Sequence, residues 1–233
     1  MKRHSLTLEL REFHRRKECY KMIAIIDYGM GNLHSVSKAL ERLGYDYLIT
    51  DNHEQIKAAG GVILPGVGAF GDAMKQLRKT GLDVCLQEIA AEGKPLLGIC
   101  LGMQLLFDKS FEGGEFEGLG LLQGEAKRLP GISSTGEKYK VPHMGWNKLV
   151  FKNEAHPLVQ GLEEGHTYFV HSYYITGMKE EELIAYANYY EQVPGIVGKG
   201  NVMGMQFHPE KSSQTGIQLL TNFGKQCEGV KLA

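Results

Sequence analysis

From Met22 onward, short apolar runs alternate with stretches whose apolar residues recur at helical spacing. Ile23-Ala24-Ile25-Ile26-Asp27 reads as a buried strand that stops at a polar residue, with Gly29 and Gly31 just beyond it. Leu33, Val36, Leu40 and Leu43 mark one face of a helix, and Gly44 supplies a stop. Residues 47–50 and 61–64 predict the next two strands, the second ended by Pro65-Gly66. Residues 72–92 predict helix with an interruption near Gly81, residues 95–99 a further strand, and residues 101–107 a helix. Such alternation implies an α/β fold: a mixed, mainly parallel open sheet with helices on both faces, of the flavodoxin-like kind.

After Glu117 the texture changes. Residues 139–142, 146–150, 167–170, 184–187, 196–199 and 202–206 are short runs separated by Gly, Pro and Asn. They predict antiparallel strands added to the same sheet, with Gly200-Asn201 as a hairpin turn and a closing helix near residues 215–223. No repeat or linker interrupts the pattern, so residues 22–233 are expected to form one domain.

Composition narrows the function. With 26 basic and 27 acidic residues, the chain has no general pull towards nucleic acid or a membrane surface. Residues 1–21 differ, carrying seven Lys and Arg against three Glu. They lack the apolar stretch and small-residue cleavage site of a signal peptide and are expected to be a disordered basic extension. The four cysteines, Cys19, Cys85, Cys100 and Cys227, include no C-x-x-C pair. That disfavours a disulfide framework or a structural zinc site and points to a reducing cytoplasm.

One of those cysteines has a special setting. Gly98-Ile99-Cys100-Leu101-Gly102 joins an expected strand to an expected helix, a nucleophile elbow with Cys in place of Ser. A side chain at either glycine would collide with neighbouring backbone, and the helix N-terminus favours negative charge on the sulfur. A small buried hydrophobe at a strand end fits the same residue. A thiol nucleophile needs a base. Of nine histidines, His208 ends an apparent strand and precedes Pro209-Glu210. If residues 208–210 stay near-extended, Glu210 lies on the same side as His208 and orients its ring, in the order Cys100, His208, Glu210. A loop histidine beside a solvated carboxylate is the plain alternative. His143 and His171 are set aside as further candidates. Pro65-Gly66-Val67-Gly68-Ala69-Phe70-Gly71 lacks the Lys-Ser/Thr ending of a nucleotide P-loop. Its N–H groups suit an oxyanion, together with that of Leu101, although a plain turn fits the loop by itself.

Taken together, Gly98-Ile99-Cys100-Leu101-Gly102-Met103-Gln104 and Phe207-His208-Pro209-Glu210 resemble the two signatures of the class I (triad) glutamine amidotransferases. Within that family, Asp27-Tyr28-Gly29-Met30-Gly31-Asn32-Leu33, Pro65 to Phe70 and Pro142-His143-Met144-Gly145-Trp146-Asn147 are similar to the histidine-pathway glutaminase subunits. The resemblance runs from Met22 to about Phe223. It implies a Cys100, His208, Glu210 triad and an oxyanion held by Val67, Gly68 and Leu101. It also implies a substrate site at Gly66, Gln104, Ser172 and Tyr173, with no cofactor and no metal. The implied partner is the barrel-type cyclase subunit of imidazole glycerol phosphate synthase, facing Asn32 and His143, Met144, Gly145, Trp146 and Asn147. Rival readings are a glutaminase subunit for anthranilate, GMP or pyridoxal phosphate synthesis, a Cys hydrolase on a similar sheet, and an inactive binding subunit.

Overall fold

The structure is a computed structural model and describes residues 22–228; the expectation for residues 1–21 lies outside them. Its first half contains β1 (Ile23–Ile26), α1 (Leu33–Arg42), β2 (Tyr47–Thr50), α2 (His53–Ala58), β3 (Gly61–Gly66), α3 (Phe70–Thr80), α4 (Leu82–Ala91), β4 (Leu96–Cys100) and α5 (Leu101–Leu105). The second half contains β5 (Phe107–Ser110), β6 (Phe116–Glu117), β7 (Leu122–Arg128), β8 (His143–Phe151), β9 (His166–His171), β10 (Tyr173–Thr176), β11 (Leu183–Tyr189), β12 (Glu191–Lys199), β13 (Val202–Met205) and α6 (Ser213–Glu228).

Strand alternation sorts the core into two layers. Ile23 and Ile25 of β1 pack on one face with Val36 and Leu40 of α1 and Leu219 and Phe223 of α6. Ala24 and Ile26 pack on the other, with Ile56 of α2, Leu77 of α3 and Ile89 of α4. Side chains two apart share a face, so a continuous apolar strand feeds both layers. Nine strands form the main sheet in the order β2-β1-β3-β4-β13-β12-β11-β8-β9. The first five are mutually parallel and the rest antiparallel.

Several expectations are corrected. The later strands do not all join one sheet: β10-β7-β5-β6 forms a second, four-stranded sheet. β13 is antiparallel to β12 but parallel to β4, because a hairpin partner of β12 necessarily reverses its direction. Residues 139–142 form no strand, and the helix expected over 101–107 ends at Leu105, with Phe107 opening β5. A short helix, α2, was not foreseen; Asn52 caps it by accepting from the Gln55 N–H at 3.1 Å. The interruption near Gly81 is real, since that residue adopts φ 70° between α3 and α4. β3 also runs on through Pro65 and Gly66, where pairing with β1 has ended at Ile63 and a proline is tolerated. That extension sets Gly66 directly opposite Cys100.

Candidate active site

The chain reverses sharply at the end of β4. Cys100 has φ 56° and ψ −113°, a conformation that L side chains rarely adopt and that persists only where surrounding structure enforces it. The enforcement is backbone against backbone. A Cβ on Gly98 would lie 2.5 Å from the Gly102 carbonyl oxygen, and one on Gly66 would lie 2.6 Å from the Gly102 nitrogen. A Cβ on Gly102 would overlap the Leu64 carbonyl. Three glycines let two strands and a helix meet at the sulfur.

β13 brings the base alongside β4. His208 is buried, its N–H donates to the Tyr168 carbonyl at 3.1 Å, and the Ser212 hydroxyl donates to the His208 carbonyl at 2.7 Å. Its Nδ1 lies 2.8 Å from Oε1 of the buried Glu210, and its ring lines one cavity with Cys100. The local geometry differs from expectation: residues Pro209–Lys211 form a 3₁₀ turn, not an extended segment, and that turn brings the carboxylate back to the ring. Burial alone would lower the affinity of His208 for a proton. The hydrogen bond to Glu210 and the interaction with Cys100 outweigh it and raise the pKa to about 9. The imidazole is thus suited to hold a proton beside the sulfur.

A cavity of about 400 Å³ opens at this pair. Val67, Gly68 and Leu101 line it beside Cys100, and Gln104, Ser172 and Tyr173 form the facing wall. Gly68 adopts φ 96°, which suits glycine at this bend. Tyr28 holds the end of β3 from below, its hydroxyl donating to the Pro65 carbonyl at 2.9 Å. Burial raises the pKa of that hydroxyl, the neighbouring Cys100 adding to the effect. Gly66 itself is buried outside the lining, because its role is close packing on Gly102. Gln104 donates both amide hydrogens, to the Tyr173 carbonyl at 2.9 Å and to Oε1 of Gln206 at 3.0 Å. What it has left for a ligand is an acceptor.

Two further lining residues carry ionisable side chains to which the sequence assigned no role. Glu112 reaches in from the loop after β5 and accepts from the Phe70 N–H at 2.7 Å. A weak signal existed: Ala69, at the N-cap of α3, offers no capping side chain, so that helix start needs an outside acceptor. The other is His171, which hydrogen-bonds His143.

The stretch expected to face a partner divides by strand alternation. Met144 and Trp146 are 59% and 51% exposed. His143 is fully buried between Phe169 and Tyr189, so its expected place on that face is corrected. Asn147 and Gly145 are half-buried, with the Asn147 amide turned to His143 and Asn188. Asn32 accepts from the Ser35 N–H at 3.3 Å and caps α1. Among the described residues there is no cluster of His, Cys, Asp and Glu suited to a metal ion.

The chain and its fold match known proteins. The family model for class-I glutamine amidotransferases matches residues 24–227. The chain is 59% identical over 208 residues to a Geobacillus sp. (strain WCH70) protein named imidazole glycerol phosphate synthase subunit HisH, spanning 89% of this chain and 98% of that relative. It is 56% identical over 211 residues to the Bacillus subtilis (strain 168) protein of the same name, spanning 91% and 99%. Among solved structures, a glutamine amidotransferase aligns with TM-score 0.68 at 22% identity, covering 89% of this chain and 99% of that one. PurLQS from Thermotoga maritima aligns with TM-score 0.63 at 20% identity, covering 87% and 96%. Those two likenesses concern the fold. The chain therefore belongs to the class-I glutamine amidotransferase family and, within it, to the HisH subunits of imidazole glycerol phosphate synthase.

Proposed function

We propose that Cys100, His208 and Glu210 hydrolyse glutamine and that the ammonia passes to the cyclase subunit of imidazole glycerol phosphate synthase, for histidine biosynthesis. The observation that carries this reading is that Cys100 and His208 line the same cavity, with the buried Glu210 carboxylate 2.8 Å from the far side of the His208 ring.

In this mechanism the Cys100 thiolate attacks the carbon of the substrate's side-chain amide, and the carbonyl oxygen becomes an oxyanion. N–H groups at Leu101 and in the Val67–Gly68 bend take that charge, in an enclosed site where such dipoles act strongly. The His208 imidazolium gives its proton to the departing nitrogen, which leaves as ammonia. Water then attacks the γ-glutamyl thioester while His208 accepts its proton, releasing glutamate and the thiolate. Glu210 holds the ring in one tautomer throughout.

The facing wall suits the amino-acid end of glutamine. Its α-ammonium needs acceptors, and the Glu112 carboxylate and the free oxygen of Gln104 supply them. The Ser172-Tyr173 backbone takes the α-carboxylate. Ammonia released into water would protonate and lose its nucleophilicity, so a shielded path to a partner is required. The exposed Met144 and Trp146 give a barrel-type cyclase an apolar and aromatic anchor for a heterodimer. A cytoplasmic setting is supported by the free thiols of Cys85, Cys100 and Cys227. The test is release of glutamate and ammonia from glutamine, with and without the purified cyclase. Activity surviving Cys100→Ala, or ammonia that the cyclase cannot use, would sink the reading.

A further inference from the structure

The mechanism leaves two buried imidazoles unused. His143 Nδ1 lies 2.9 Å from His171 Nε2, and His171 Nδ1 lies 2.9 Å from the Tyr173 carbonyl oxygen. On the outer side His143 Nε2 is 3.0 Å from Asn147 Oδ1, and the Asn147 amide nitrogen donates to the Asn188 carbonyl at 3.3 Å. On the inner side the same Tyr173 carbonyl accepts from Gln104. A single line of polar contacts therefore runs from Asn147 on β8 to the wall of the cavity. It crosses where the chain leaves β9 and enters β10 in the second sheet.

The protons along this path follow from its ends. A carbonyl only accepts, so His171 must donate from Nδ1 and accept at Nε2, and His143 must donate from Nδ1. Burial lowers the proton affinity of both rings, which favours the neutral forms. His143 Nε2 then carries no hydrogen and faces Asn147 Oδ1, acceptor against acceptor. Turning the Asn147 amide gives His143 a donor but takes it from Asn188. The inner end of the path is thus rigid and the outer end has two competing arrangements. That outer end lies on the strand that exposes Met144 and Trp146.

We propose that His143 and His171 are positioning residues for glutamine: they hold the Tyr173 carbonyl, and through it the Gln104 amide, in place relative to Asn147 on β8. This rests on the reading of the cavity as the glutamine site. It makes the affinity of the wall for the amino-acid end depend on His143, which lies behind the cavity lining.

A chloromethyl ketone analogue of glutamine, captured on Cys100 of the full chain, separates binding (KI) from alkylation (kinact). Iodoacetamide, which has no amino-acid end, serves as the control. His143→Phe keeps a ring between Phe169 and Tyr189 but removes the donor. It should raise KI about 5- to 10-fold, the effect of one lost buried hydrogen bond, leaving kinact and iodoacetamide alkylation unchanged. His171→Asn retains a donor near the Nδ1 position and should hold KI closer to the unmodified value than His171→Ala does. Asn147→Leu, at the half-buried outer end, provides the same readout should His143→Phe fail to fold, with a KI rise of about 2- to 3-fold. An unchanged KI in the folded variants, or a parallel loss in iodoacetamide alkylation, would overturn the positioning role. No capture by the unmodified chain would overturn the glutaminase reading, and the role of the pair with it.

Discussion

The two sides of the cavity are built by different means. On the nucleophile side, Gly66, Gly98 and Gly102 let backbones approach until no Cβ fits, and Cys100 is forced to positive φ by that packing. On the facing side, the shape depends on side chains: Gln104 and His171 hold the Tyr173 carbonyl, Gln206 holds Gln104, and Glu112 separately holds the start of α3. Backbone packing gives a site that fails abruptly when altered, whereas a hydrogen-bonded wall loses affinity in steps. A nucleophile needs its position held within a fraction of an ångström, and backbone supplies that rigidity. A binding wall tolerates adjustment.

The contrast can be sharpened by substitution, beginning with the largest expected effect. Cys100→Ala should lower glutamine turnover by at least about 10³-fold while leaving the thermal transition nearly unchanged; release of glutamate is the measurement. Gly102→Ala should instead destabilise the fold by roughly 3 kcal/mol, seen as a lower denaturation midpoint, since the added methyl meets the Leu64 carbonyl and neither backbone can yield. A normal midpoint in that variant would break the comparison. Glu112→Gln, on the wall, should raise KM for glutamine about 10-fold and alter kcat little, because it weakens a contact made equally by substrate and transition state.

The smallest of these effects concerns pH. His208 has its pKa raised to about 9, above the ordinary value of 6.5, so its contribution to stability is fully present below about 6.5 and is lost as pH rises through about 9. Glu210→Gln removes one of the interactions that raise it. In that variant the His208 titration, followed by NMR, should move down, and the loss of stability should begin at lower pH. A titration unmoved by the change would mean that Glu210 does not act on this ring.

The chain's own pattern made much of the nucleophile side legible. Its strands and the glycines flanking Cys100 are local features: a strand, a turn and a helix within a few residues, each with a backbone requirement visible in the sequence. His208 and Glu210 were legible as a pair for the same reason, although the 3₁₀ turn that joins them was not. The second sheet escaped notice because β5, β6, β7 and β10 are short and their pairing partners are distant, as with Tyr173 opposite Arg128. Glu112 escaped because only folding brings it to the Phe70 N–H, 42 residues away. Nothing in Pro142-His143-Met144 says which side chain turns inward; the phase of β8 against β9 decides that.

By itself the sequence determined most of the elements as far as β4, the strained elbow and the groups proposed to react, since these depend on residues that are neighbours along the chain and on steric rules that act at that range. Only the tertiary structure decided what surrounds them: that Gly66 meets Cys100, that Gln104 has only an oxygen to offer a ligand, and that His143 is core and Trp146 surface. Strand register and hydrogen-bond direction are properties of pairs brought together by folding, and no local pattern encodes which partner will be met.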